Sequence, residues 1–192
     1  NLPDATGMVA VARIAGRDAT VPIVVLTGLD DEHFGVTAVA SGAQDYLVKG
    51  HVEPDTLHRS LLYAIERYPG AEVLVAGGFG GRLDHMLANV LLLAHPRLLG
   101  QPVRFVDDRQ TAWLVSAAAP GESVISGAPG DIVSLLPLGG PARVVATSGL
   151  RWPLRDEVLA FGPARGVSNV MTAESATVRL DQGAVLCVHI RQ

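Results

Sequence analysis

One cysteine, one lysine and few aromatic residues are what this chain of 192 residues has least of. A single thiol, Cys187, excludes an internal disulfide. It sits in the alternating run Val185-Leu186-Cys187-Val188-His189-Ile190 and reads as a packed strand residue. Lys49 is the only lysine, the other basic residues are scattered arginines, and the net charge is −4. That leaves no basic footprint for nucleic acid. No apolar run reaches the roughly 20 residues of a membrane-spanning helix, and no signal-peptide pattern opens the chain. These absences point to a reducing, cytoplasmic setting without a membrane or nucleic-acid partner. Charged residues make up only 18% against 48% apolar, which excludes a disordered chain and supplies a core. The opening Asn1-Leu2-Pro3-Asp4 reads as a loop entered from a missing strand, so the start is expected to be cut from something longer.

What is there changes character near Leu99. Before it, strands and helices alternate. Residues 8–15 suit a helix, and Pro22 to Thr27 is a continuous apolar run suited to a buried parallel strand. Asp30 and Asp31 are placed to cap a helix running to about Ser41. Asp45–Lys49 reads as a second strand, Pro54–Arg67 as an amphipathic helix, and Glu72–Ala76 as a third strand. After Leu99 come short β-rich runs broken by Gly and Pro, with no helical pattern: 103–106, 111–116, 123–125, 132–136, 142–147, 158–160, 176–180 and 185–190. The expected fold class is α/β plus all-β: a small parallel three-layer α/β sheet followed by a β-sandwich.

The chemistry concentrates in Gly-Gly-Arg-Leu-Asp-His-Met-Leu-Ala-Asn (80–89), a glycine turn between an apolar strand and a helix start. Backbone N–H groups there favour anions, and a carboxylate there can hold a metal bound to phosphate. With Gly-Leu-Arg-Trp (149–152), Val-Leu-Ala-Phe-Gly (158–162) and Val-Ser-Asn (167–169), it resembles the signature of thiamine pyrophosphokinase over residues 70–192. The resemblance implies a homodimer that transfers diphosphate from ATP to thiamine, giving AMP and thiamine diphosphate, with Mg²⁺ as the ATP-bound cofactor. It makes Asp84 a magnesium ligand and Arg82 a phosphate contact; both are candidate catalytic residues. The other reading of Asp84 is a helix N-cap. Ser168 and Asn169 become thiamine-site residues, or an ordinary turn. Trp152 becomes a stacking surface for the thiazolium cation, or a packed residue at the sandwich edge. Asn89 faces the cleft, or is a packed amide. The family's front aspartates, in a Gly-Asp-x-Asp-Ser type motif, find no match in residues 1–67, so impaired or absent activity is expected.

Residues 1–67 are similar to something else. Leu-Pro-Asp-Ala-Thr-Gly (2–7), Val-Val-Leu-Thr-Gly (24–28), Ser-Gly-Ala-Gln-Asp-Tyr-Leu-Val-Lys-Gly (41–50) and Leu-Leu-Tyr-Ala-Ile-Glu-Arg (61–67) resemble the C-terminal half of a response-regulator receiver domain. That makes Thr27 the switch hydroxyl and Lys49 the phosphate-pairing ammonium, or both inherited scaffold residues. The two resemblances meet in a shared helix and imply a chimera: a receiver-like fragment (1–67), a strand-loop-helix of the kinase α/β domain (68–98) and a thiamine-binding sandwich (99–192). The alternative function is a receiver-derived signalling or binding module without catalysis.

Overall fold

The computed structural model describes residues 21–27, 37–48, 55–79 and 82–192. The chain divides into two compact units, one of residues 1–92 and 101–108, the other of residues 93–100 and 109–192.

In the first unit, strands β1 (Ile23–Thr27), β2 (Asp45–Val48), β3 (Val73–Ala76) and β4 (Val103–Val106) lie in the order β4-β3-β1-β2, every pair parallel. Their apolar runs suit that placement, since a parallel strand is buried on both faces. Ile23, Val24, Val73, Val75 and Phe105 are fully buried. Helix α1 (Thr56–Arg67) turns Leu57, Leu61 and Ala64 inward, one face of a 3.6-residue period, and packs on β2 and β3. Ser60 Oγ adds a hydrogen bond to the Asp45 carboxylate at the start of β2. Helix α2 (Leu83–Leu92) follows β3 and buries none of its residues. Residues 37–40 are helical, in keeping with the helix expected up to Ser41. The helix expected over 8–15 and the capping of Asp30 and Asp31 lie outside the described residues.

Val103–Val106 departs from the expectation above. Read there as the first strand of the β-rich region, it pairs in parallel with β3, Val73 opposite Val103 through Ala76 opposite Val106. The described part of this sheet therefore has four parallel strands, not three. A four-residue run, Val-Arg-Phe-Val, carries no signal for its partner, and Val103 and Phe105, both buried, complete the apolar layer beside β3.

The second unit is antiparallel throughout. Strands β5 (Gln110–Ser116), β7 (Ile132–Pro137), β10 (Asn169–Val170) and β12 (Ala184–Ile190) lie in the order β10-β7-β12-β5. Strands β6 (Glu122–Ser126), β8 (Ala142–Ser148), β9 (Arg155–Leu159) and β11 (Ser175–Gln182) form a second sheet, β6-β11-β8-β9. Trp113, Val133, Leu135, Val185 and Cys187 of the first sheet and Ile125, Val144, Val178 and Leu180 of the second belong to one apolar cluster. That is the two-sheet construction of a sandwich. Cys187 is buried, as its alternating run predicts.

Candidate functional site

The residues singled out from the sequence fall into two groups, one in each unit. In the first, β3 ends at Ala76 and the chain turns through Gly77 and Gly78. Glycine is required at both positions. A Cβ on Gly77, whose φ is +80°, would stand 2.0 Å from the Leu26 carbonyl oxygen. One on Gly78 would stand 2.1 Å from the Phe105 ring. The Gly78 carbonyl accepts a 3.0 Å hydrogen bond from Asn89 Nδ2, so that amide ties α2 back to the turn. Gly80 and Gly81 lie outside the described residues.

Arg82 and Asp84 are exposed and bonded to each other, Arg82 Nε to Oδ1 at 3.1 Å and Nη2 to Oδ2 at 2.5 Å. Oδ1 also accepts the His85 N–H at 3.0 Å. The Arg82 hydrogen bond, assisted by that N–H, holds the Asp84 carboxyl below the usual carboxylate range. Helix α2 begins at Leu83, so Asp84 lies inside its first turn and is not the N-cap. A carboxylate there is favoured by the helix dipole. Asp84 does not by itself make a magnesium site. Among the described residues no group of three or more His, Cys, Asp or Glu could hold a metal ion, and both oxygens of Asp84 already have donors. A cation bridging Asp84 to a phosphate would have to displace the Arg82 guanidinium, which donates to both carboxylate oxygens.

Thr27 ends β1, opposite Val48 in the register. Lys49, the other half of the receiver reading, lies outside the described residues.

In the second unit the geometry is tighter. Asn169 Oδ1 accepts the Trp152 N–H at 3.1 Å while Nδ2 donates to the Trp152 carbonyl at 2.6 Å. The same Oδ1 accepts the Val170 N–H at 2.9 Å. Arg151 N–H donates to the Val170 carbonyl at 2.8 Å, and Leu150 bridges Met171. Two residues on, Leu154 N–H donates to the buried Thr147 hydroxyl at 2.9 Å and the Leu154 carbonyl accepts the Thr147 N–H at 3.0 Å. The main chain around Trp152 is thus held on both sides, yet its side chain is not core: the residue is 52% exposed. The Arg151 guanidinium lies over the indole, 5.6 Å from its centroid, which occupies one ring face. Ser168 has a φ of +62°, exposes its side chain and donates its N–H to Ser134 Oγ at 3.0 Å.

Three polar residues in this unit escaped the sequence reading. Ser134 is buried in β7, and the signal was a hydroxyl interrupting the apolar Ile132-Val133-Ser134-Leu135-Leu136. Asp131 and His189 are both buried and meet at 2.8 Å, Nε2 to Oδ2. Asp131 also accepts the Ala128 N–H at 2.9 Å and the Gln192 N–H at 3.2 Å. Burial pushes the Asp131 carboxyl up, but the Ala128 N–H, the His189 ring and the Gln192 N–H together hold it below the usual range. Nothing local marks that pair, whose members are 58 positions apart.

Comparison with known proteins fits this geometry. Residues 123–185 match the family model of the thiamin pyrophosphokinase vitamin B1 binding domain, a span that contains Trp152, Ser134, Ser168 and Asn169. A rice protein, thiamine pyrophosphokinase 2, is 32% identical over 122 residues, covering 62% of this chain and 44% of the relative. Rice thiamine pyrophosphokinase 1 is 26% identical over 141 residues, covering 70% of this chain and 53% of the relative. The chain spans about half the length of these curated relatives. The crystal structure of a thiamine pyrophosphokinase from Bacillus subtilis superposes with a TM-score of 0.68 at 18% identity, covering 89% of this chain and 99% of that one. The fold is that of the thiamine pyrophosphokinases. No helix among the described residues is long and apolar enough to cross a membrane.

Proposed function

We propose that the chain is a thiamine pyrophosphokinase-like protein that binds thiamine through its second unit and that transfers diphosphate weakly or not at all in these 192 residues. The observation that carries the reading is the ordered presentation of Trp152 by Asn169, the residue that follows Ser168, inside the span that matches a vitamin B1 binding domain. A half-exposed indole offers a stacking surface to a flat cation such as thiazolium, and the exposed Ser168 hydroxyl offers a hydrogen bond to an aminopyrimidine. Asn89 is assigned a scaffolding role, because its amide is spent on the Gly78 carbonyl. Arg82 remains the phosphate-contact candidate, available only if it releases Asp84. Weak transfer is expected because, among the described residues of this turn, Asp84 is an exposed carboxylate already paired with Arg82, and the cation that phosphoryl transfer needs would compete with that guanidinium. ATP and a second copy of the chain are the partners that the resemblance implies.

Calorimetry with thiamine alone tests the binding half, and an AMP-release assay with thiamine, ATP and Mg²⁺ tests the catalytic half. Binding without appreciable turnover is expected. No heat of binding at millimolar thiamine would remove the site assignment. Turnover in the ordinary enzymatic range of about 1–1000 s⁻¹ would overturn the claim of weak transfer.

A further inference from the structure

We propose that Ser134 and Asn169 are positioning residues that act through a hydrogen-bond relay to hold Trp152 in place for its ligand. The inference rests on the reading of Trp152 as part of a thiamine site.

The relay starts in the core. Ser134 is a buried hydroxyl in an otherwise apolar strand, and a buried polar group persists there only if it is bonded. Its Oγ accepts the N–H of Ser168. That bond fixes a residue whose φ of +62° is one that non-glycine residues adopt only when the surroundings hold them there. Ser168 in turn sets the direction of Asn169, which pairs with Val133 in the β10–β7 ladder. The Asn169 carboxamide then takes both main-chain groups of Trp152, accepting from the N–H and donating to the carbonyl. A carboxamide does both from two separate atoms, one accepting and one donating. A carboxylate has no donor and would set its charge against the Trp152 carbonyl. The Asn169 amide thus works on Trp152: its oxygen is taken by two main-chain N–H groups and its nitrogen donates to the Trp152 carbonyl. An aromatic platform whose backbone is fixed beforehand loses less freedom on binding, which is how a positioning residue raises affinity without touching the ligand.

The chain has two tryptophans, so labelling with 5-fluorotryptophan gives two ¹⁹F resonances, and Trp152→Phe assigns them. Trp113 reports on the core, because it is buried and donates its Nε1–H to Ser123 Oγ at 3.0 Å. Without ligand, Ser134→Ala and Asn169→Asp are expected to move or broaden the Trp152 line and leave the Trp113 line in place. Ser168→Ala, which keeps the backbone N–H, should leave both lines unchanged. Thiamine should shift the Trp152 line of the unmodified protein, and each relay variant should weaken its binding roughly three- to tenfold, the scale of one lost hydrogen bond. A Trp152 line unmoved in both relay variants overturns the relay, whatever thiamine does. A line that moves in the variants but ignores thiamine in the unmodified protein supports the relay and overturns the site reading on which it rests. Should Ser134→Ala disturb both lines, Asn169→Asp decides, since that change sits at the partly exposed end of the relay.

Discussion

Helix α2 and its leading residue carry Arg82, Asp84 and Asn89 while burying nothing of the helix itself. The segment that carries Ser168 and Asn169 is instead bonded to β7 at Gly166, Ser168, Asn169 and Val170. The first unit holds its candidate residues on a lightly anchored surface, where polar groups pair with each other and with solvent. The second builds them into a core whose buried polar groups, Ser116, Ser134, Thr147, Asp131 and His189, are each bonded. The same kind of substitution should therefore have different consequences in the two units. In the second, structure and candidate site are not separable; in the first they are.

The sharpest test uses glycine, where the two units offer matched backbone angles and opposite surroundings. Gly149 has a φ of +67°, and a Cβ there would stand 2.2 Å from the Ser175 carbonyl oxygen and 2.9 Å from Ala176 Cα. Gly70 has a φ of +77° with nothing within 4 Å. Gly70→Ala should cost only the strain of the left-handed region, about 1 kcal/mol. Gly149→Ala adds a backbone collision between the loop that leads to Trp152 and strand β11, and about 3 kcal/mol or more is expected. Urea unfolding of the two variants measures the difference. Equal costs would mean that the loop yields, and the picture of a rigidly held Trp152 would go with it.

Acid is the second probe. The folded-state carboxyl of Asp131 lies below its ordinary value, so its contribution to stability is fully present above the unfolded value of about 3.9. It is lost as the pH falls through the lowered folded value. The melting temperature of the second unit should hold from neutral pH down to about 4 and fall below that. Asp131→Asn should cost roughly 2–4 kcal/mol at pH 7, because His189 Nε2 and two main-chain N–H groups lose a charged acceptor. The variant should also flatten the acid limb. An acid limb identical in Asp131→Asn would place the titrating group elsewhere.

How much of this was legible in the sequence depended on how local the cause was. Strands β5 and β12 alternate or run apolar over seven residues, and their positions could be read within a residue. Strand β9 was displaced towards Val158–Ala160 because its real span, Arg-Asp-Glu-Val-Leu, is a polar edge whose only apolar signal sits at the end. Strand β10 carries no sequence signal: two residues, Asn169 and Val170, just after the turn-forming Ser168, become a strand only because β7 lies alongside. For the residues of the candidate site, the sequence shows their type but not their partners. Asn169 looks like a ligand contact or a turn former, and its actual partner is Trp152, 17 positions away. Ser134 and the Asp131–His189 pair act through contacts across 34 and 58 positions, and no periodicity encodes those.

The smallest expected effect falls on the first unit and completes the contrast. Arg82 and Asp84 form a pair whose side chains are 70% and 62% exposed. Such a pair gains little from Coulomb attraction in water and is screened by salt. Arg82→Ala should leave the melting curve where it is. The Asp84 carboxyl, followed by ¹³C NMR, should rise towards the ordinary carboxylate range, because the first cause of its lowered value has been removed. Salt should do part of the same in the unmodified protein, since at 1 M the Debye length is only about 3 Å. Asp131, itself buried and bonded to the buried His189 ring and to two main-chain N–H groups, should titrate at nearly the same pH at low and high salt. The two carboxyls are lowered in the same direction, one by an exposed cation and the other by main-chain N–H groups and a buried imidazole, so their response to salt tells the units apart. An Asp84 that ignores salt, or an Asp131 that follows it, would show that the division between a solvated and a built-in group has been drawn in the wrong place.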